Sequence, residues 1–216
     1  MQPIISIVGK SNSGKTTLLE SLIAELTRRG YQLAVIKHAG EDIELDTVNK
    51  DTWRFRKAGS QLAAINAGRG LAVFYTLDHD FAPEELARLL WLDCDLILTE
   101  GFKRNDYRKI EVHRQEQGSE LLSPTEQLLA VITDEKLNVP VPQFTRDEVG
   151  KIADLIEQTY LSKQKKEDID LIINNERVLL NDETANLLSR TMMAFASRHK
   201  KVSEIKRLRL SMRKAK

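Results

Sequence analysis

The sequence predicts an α/β fold over its first three quarters, a mostly parallel sheet flanked by helices. Three observations carry that expectation. Residues 1–160 alternate short apolar runs with amphipathic segments, the pattern of βαβ units. The opening run Ile4-Ile5-Ser6-Ile7-Val8 is β-branched and nearly all apolar, as a strand buried on both faces should be. It leads into Gly9-Lys10-Ser11-Asn12-Ser13-Gly14-Lys15-Thr16, which fits G-x-x-x-x-G-K-[ST], and then into Leu18, Leu19, Leu22, Ile23 and Leu26 at helical spacing. The expected class is therefore P-loop NTPase-like.

Each further element follows from its local chemistry. Arg28, Arg29 and Gly30 should close the first helix, with cations in the last turn and glycine after it. Strands are expected at 32–37, 61–66, 71–76, 95–100, 109–114 and 129–133, with a short one around 141–144. Pro83-Glu84-Glu85 opens a helix carrying Leu86, Leu89 and Leu90. Thr145-Arg146-Asp147-Glu148 has the spacing of a capping box. The helix after it would bury Val149, Ile152, Ile156 and Tyr160.

The domain layout expected is 1–162 for the nucleotide-binding domain, 163–167 for a linker and 168–216 for a small basic α+β module. The segment from Lys163 to Asp168 has no apolar residue. Beyond it, 169–173 and 177–180 flank Asn174-Asn175-Glu176 as a hairpin, and Asp182 would cap a helix with Leu187, Leu188, Thr191, Met192 and Phe195 on one face. Leu208, Leu210 and Met212 then alternate with Arg209, Ser211 and Arg213, giving a ββαβ order.

Composition bounds the function. The 216 residues are 41% hydrophobic, ample for a core, and no apolar run approaches the roughly 18–20 residues of a membrane span. The first residues lack a basic n-region and a cleavage site, so a cytoplasmic protein is expected. One cysteine, Cys94, excludes an intramolecular disulfide framework and a Cys-rich zinc site. The net charge of +1 is uneven. Residues 163–216 hold 14 Lys+Arg against 7 Asp+Glu, leaving 19 against 25 for the rest. That asymmetry suggests two modules or a basic contact surface.

The glycine-bounded loop implies nucleoside-triphosphate binding. Its glycines permit a tight path that turns successive N–H groups inward onto phosphate oxygens, and the helix behind it adds its positive end. The candidate nucleotide-binding residues are Gly9, Lys10, Ser11, Asn12, Ser13, Gly14, Lys15, Thr16 and Thr17. Lys15 would neutralise the β- and γ-phosphates and Thr16 would ligate Mg²⁺. A bare strand–helix turn would not need Lys15 and Thr16 after Gly14. Lys10 is either an exposed loop lysine or one that reaches a partner subunit's nucleotide.

A P-loop also needs a carboxylate near the magnesium, and the apolar strand Leu96-Ile97-Leu98-Thr99 ends in Glu100. Open α/β sheets bind ligands at these carboxyl ends, so Glu100 is the candidate acting directly or through water. The segment after the second strand is rich in titratable groups: Lys37, His38, Glu41, Asp42, Glu44, Asp46, Lys50, Asp51 and Arg54. Glu41, Asp42 and Glu44 read as a solvated loop. Asn49-Lys50-Asp51 lacks the aspartate at position 52 that a guanine-reading N-K-x-D requires.

Four stretches together resemble one family. They are the segment from Gly9 to Thr17; Lys37-His38 with Asp46, Lys50-Asp51-Thr52, Arg54 and Ala58-Gly59; Glu100-Gly101-Phe102-Lys103; and Lys109-Ile110-Glu111. Over roughly residues 3–160 the chain is similar to molybdopterin-guanine dinucleotide biosynthesis protein B (MobB). The resemblance implies a GTP-binding homodimer with Mg²⁺ and weak GTPase activity. It also implies as partner the nucleotidyltransferase that joins GMP to molybdopterin. By the same resemblance Lys15 and Glu100 are the catalytic candidates, and Thr16, Glu100, Asp46 and Asp51 are the metal candidates. The choice of guanine over adenine rests on the resemblance. Where the family often has histidines and a Pro-Gly, this chain has Gly40-Glu41 and Val48-Asn49, leaving His38 alone.

Other residues have plainer readings. Asp78-His79-Asp80 is a polar turn before a helix, His113 sits on a half-exposed strand, and Cys94 is a buried small hydrophobe. Trp53 and Trp91 pack, although Trp53 beside Arg54 could line a base or pterin pocket. The basic face of Arg207, Arg209 and Arg213 lacks stacking aromatics, which disfavours nucleic acid. Two rival functions stand beside the first. A small metabolite kinase would need a mobile arginine-bearing lid, for which 103–108 is the candidate stretch. A non-enzymatic GTP-dependent adaptor would dock a target enzyme through the basic C-terminal module. Slow hydrolysis is expected, because no glutamine or arginine finger is recognisable.

Overall fold

The computed structural model describes residues 2–39, 43, 45–90, 92, 94–118, 120–162, 171–173 and 176–198. The chain divides into two compact units, Gln2–Gln164 and Lys165–Lys216.

The first unit is built on a six-stranded, all-parallel sheet. Its strands are β1 (Ile4–Gly9), β2 (Leu33–Lys37), β5 (Leu96–Glu100), β6 (Arg108–Val112), β7 (Leu128–Ile132) and β8 (Gln143–Phe144), in the order β2-β5-β1-β6-β7-β8. The apolar runs explain why these segments are central. Ile5, Ile7, Leu96, Leu98, Ile110 and Ala130 are fully buried, which a parallel strand covered by helices requires. One polar pair lies inside the sheet, where the Thr99 hydroxyl donates to Ser6 Oγ at 2.8 Å. That contact satisfies two hydroxyls that burial would otherwise leave costly.

Helix α1 (Lys15–Arg28) buries Leu18, Leu19, Leu22 and Leu26 on one face, the 3.6-residue stripe legible in the sequence. It ends as expected. Gly30 is left-handed at φ 95°, and the Tyr31 N–H bonds back to the Leu26 carbonyl at 3.1 Å. Arg29 does more than complement the helix dipole. Its guanidinium reaches Glu25 on its own helix, then Asp154 at 2.7 Å and Glu157 at 2.8 Å. These last two belong to α4 (Val149–Ile156) and the π-helical turn Glu157–Leu161 that continues it. Arg29 thereby ties α1 to α4, whose Ile152 and Ile156 are fully buried in the same core.

Several boundaries differ from the sequence reading. The strand expected at 109–114 ends at Val112. His113 lies beyond it and is buried rather than half-exposed, its Nε2 paired with Glu135 at 2.9 Å. The segments 61–66 and 71–76 do form strands, β3 (Leu62–Ala67) and β4 (Gly70–Tyr75). They pair antiparallel with each other in a hairpin outside the main sheet. The polar stretch after β2 contains a helix, α2 (Asp51–Lys57), too short for its periodicity to show. Helix α3 (Pro83–Leu89) opens at its proline, with Glu85 accepting from the Ala82 N–H at 2.9 Å. The Thr145 motif is only half a capping box. Glu148 does accept from the Thr145 N–H at 2.9 Å, but the threonine hydroxyl donates to that carboxylate instead of accepting an N–H.

The second unit contains the hairpin of β9 (Leu171–Ile173) and β10 (Glu176–Val178) and the helix α5 (Asp182–Ser197). Its N-cap is Asn181, one residue before the aspartate expected, with Oδ1 accepting from the Thr184 N–H at 2.8 Å. The expected strand around 208–212, the linker, the Asn174-Asn175 turn, Glu41, Asp42, Glu44 and Trp91 lie outside the described residues.

Candidate functional site

The loop between β1 and α1 takes the path its glycines permit. Gly9 has φ 151°, Gly14 has φ 95°, and Asn12 is also left-handed at 60°. A Cβ on Gly9 would stand 2.5 Å from the Val112 carbonyl oxygen, and one on Gly14 would stand 2.0 Å from an Arg146 Nη. Gly9 is therefore demanded by space as well as by backbone angle, whereas Gly14 is demanded by its angle, the only atoms near its would-be Cβ being the movable end of the Arg146 side chain.

Three of the loop's carbonyls are held by side chains. Lys15 Nζ donates to the Lys10 carbonyl at 2.7 Å, Gln117 Nε2 to that of Ser11 at 2.9 Å, and an Arg146 Nη to that of Ser13 at 2.6 Å. Arg114 Nε reaches the same Ser13 oxygen at 3.3 Å, and Lys10 Nζ donates to the Gln117 carbonyl. Ser13 is fully buried, and its Oγ has no hydrogen-bond partner. Arg114, Gln117 and Arg146 were not among the residues the sequence singled out. The available signal was position: Arg114 and Arg146 each follow the last residue of a parallel strand by two.

On the other side of β1, Glu100 ends β5. The Thr16 hydroxyl donates to Glu100 Oε2 at 3.0 Å, and Lys37 Nζ lies 3.6 Å from its Oε1. Burial pushes the Lys15 ammonium below its ordinary value; Glu100 opposes that shift, and Lys103 and Lys37 add to it. Three lysines and one carboxylate thus surround the mouth of the loop, a field that favours a polyanion accompanied by a cation. The hydroxyl of Thr16 and the carboxylate of Glu100 are hard oxygen donors suited to Mg²⁺.

The turn after Glu100 is sharp. Gly101 and Phe102 both have positive φ, 110° and 53°, and a Cβ on Gly101 would come 3.1 Å from that of His38. The His38 ring packs on Phe102 at 4.5 Å between centroids, and its Nε2 meets Asp80 at 2.8 Å. His38 therefore braces the Glu100 turn.

The remaining metal candidates have other partners. Asp46 is buried, accepting from the Thr52 hydroxyl at 3.0 Å and pairing with Arg56 at 3.3 Å. Asp51 is exposed beside Arg54 at 3.9 Å. Lys109 and Glu111 act as buried tethers. Lys109 Nζ donates to the Asn105 carbonyl at 2.5 Å and to Gln127, and Glu111 accepts from the Leu122 and Ser123 N–H groups at 2.6 and 2.9 Å. The lid stretch is also tied down. Arg108 donates to the Glu126 and Leu128 carbonyls, both at 2.8 Å, and Tyr107 donates to Glu84. Among the described residues no group of three or more His, Cys, Asp and Glu is arranged to hold a metal, and no helix is long and apolar enough to cross a membrane.

Comparison with known proteins decides the family. The family model for molybdopterin guanine dinucleotide synthesis protein B, MobB, matches residues 4–134. The chain belongs to the MobB family. Relatives of this MobB chain include two named molybdopterin-guanine dinucleotide biosynthesis adapter protein. The one from Haemophilus influenzae is 38% identical over 159 residues, covering 72% of this chain and 88% of the relative. The one from Escherichia coli is 32% identical over 169 residues, covering 76% and 96%. The crystal structure of Bacillus subtilis MobB superposes with a TM-score of 0.59 at 28% identity, over 76% of this chain and 99% of that one. The family thus has the P-loop NTPase-like α/β fold expected from the sequence.

Proposed function

We propose that this MobB chain is a GTP·Mg²⁺-binding adapter in molybdopterin guanine dinucleotide synthesis. It would act beside the nucleotidyltransferase that joins GMP to molybdopterin. The observation that carries the reading is the Thr16–Glu100 contact at 3.0 Å beside the Lys15 ammonium, at the mouth of a loop whose Lys10, Ser11 and Ser13 carbonyls are tied by side chains. In this reading the amides of Gly9 to Thr17 bind the phosphates, Lys15 neutralises their charge, and Thr16 and Glu100 hold the ion. Mg²⁺ held there would supply neutralisation of phosphate charge. Asp46 and Asp51 then serve the α2 region rather than the ion. Hydrolysis is slow, since Gln117 is spent on the Ser11 carbonyl and Arg114 and Arg146 on that of Ser13. An adapter of soluble cofactor synthesis belongs in the cytoplasm.

Titrating the full chain with GTP and with ATP, each with and without Mg²⁺, tests this. GTP should bind at least about tenfold tighter than ATP and only with the ion; equal affinities, or binding indifferent to Mg²⁺, count against it.

The same reading includes a homodimer, supported by the β3–β4 hairpin. Its strands pair with each other, and Leu62, Ile65, Leu71 and Val73 are 47%, 46%, 70% and 39% exposed. An apolar two-stranded ribbon with open edges is poorly stable in water and is suited to pairing with its own copy. Leu71→Asp should shift the sedimentation profile from dimer to monomer; a dimer of undiminished stability removes the hairpin from the interface.

A further inference from the structure

We propose that Arg114, Asp134 and Arg146 form the nucleoside subsite, with Asp134 the carboxylate that reads guanine. This rests on the nucleotide reading above and extends it to the base. The sheet order gives the bound nucleotide a direction. Glu100 and Thr16, where the ion and terminal phosphate belong, lie on the β5 side of β1. The remainder of a triphosphate seated in the loop must therefore leave toward the β6 side.

On that side the register places three residues in a row. Val112 pairs with Ile132 and Ile132 with Phe144, and Arg114, Asp134 and Arg146 each stand two residues beyond. They are linked to one another and to the loop. Arg114 pairs with Asp134 at 3.2 Å, and Asp134 also accepts from the Gln115 N–H at 3.2 Å. Both arginines hold the Ser13 carbonyl, and the Arg146 guanidinium lies against Gly14 at the start of α1. Buried donors remain unspent beside them: Arg146 Nε and Ser13 Oγ have no hydrogen-bond partner.

The chemistry of the row fits a purine nucleoside. A planar guanidinium offers a face on which a flat ring stacks. A carboxylate accepts two parallel N–H bonds, and guanine presents such a pair at N1 and its exocyclic amine, whereas adenine presents an acceptor at N1. Arg146 is the positioning residue, fixing the row against the phosphate loop.

The test uses the full chain and four probes with Mg²⁺: GTP, ATP, xanthosine triphosphate and inorganic tripolyphosphate. Asp134→Asn should weaken GTP binding by about tenfold or more and improve xanthosine triphosphate, because the carboxamide N–H₂ can donate to the C2 carbonyl of xanthine. Tripolyphosphate affinity should not move, which shows that the loop is intact. Arg146→Ala should weaken GTP more than tripolyphosphate. An unchanged GTP-to-xanthosine-triphosphate ratio in Asp134→Asn overturns the proposal, as does a wild-type chain that binds tripolyphosphate as tightly as GTP. A wild-type chain that binds neither overturns the nucleotide reading itself.

Discussion

Lys15→Ala should lose roughly 10- to 150-fold of the affinity for GTP·Mg²⁺ while melting within a few degrees of wild type. The magnitude follows from removing a charge-assisted hydrogen bond of about 1.5–3 kcal/mol, with tenfold in affinity for each 1.4 kcal/mol. Stability should hold because the only described bond that Lys15 makes is a partly exposed one to the Lys10 carbonyl. Lys15→Arg should not restore binding, since a forked planar guanidinium cannot replace a compact ammonium in this loop. Isothermal titration alongside a thermal melt reads both quantities. A Lys15→Ala chain that binds GTP within twofold of wild type would remove the lysine from the phosphate site.

Gly9→Ala should be among the most destabilising single substitutions in the first unit, by about 2–6 kcal/mol. Two effects add. The backbone angle of 151° is one that alanine adopts with about 1–3 kcal/mol of strain, and forcing a methyl group into a filled space costs about another 1–3. The obstruction is the Val112 carbonyl at 2.5 Å, part of the central strand β6, which has no room to yield. Gly30 supplies the control. It too has positive φ, 95°, but nothing lies within 4 Å of its would-be Cβ, so Gly30→Ala should carry the strain alone. Melting temperatures of the two variants separate the terms. Equal losses would mean that the contact with β6 carries no cost.

Much of the fold is legible in the residues because its elements obey local rules. The buried strands show as unbroken β-branched runs, α1 as a leucine stripe ended by Arg-Arg-Gly, and the phosphate loop as glycines at fixed spacing. What escaped detection depends on tertiary contact. The seven-residue α2 is too short to display a period. The hairpin strands look like members of the main sheet, since pairing partners cannot be read from apolar content alone. Within the site, Lys15, Thr16 and Glu100 are found from sequence because they belong to motifs. Arg114, Gln117 and Arg146 are not, because they come from turns about 100 or more residues away, joined to the loop only by the order of the strands. Lys109 and Glu111 illustrate the converse. They look functional in the family pattern, and both are buried ties that hold neighbouring turns in place.

The tied carbonyls of Lys10, Ser11 and Ser13 have a consequence for how a ligand is received. Fixing a flexible loop at the moment of encounter costs roughly 1–2 kcal/mol of backbone entropy per residue. In the proposed reading that ordering is accomplished when the protein folds, by Lys15 of α1 and by anchors from the turns after β6 and β8, so the amides would be aimed before any anion arrives. On that reading, binding would be a docking event instead of a rearrangement, with a rate set by diffusion and charge.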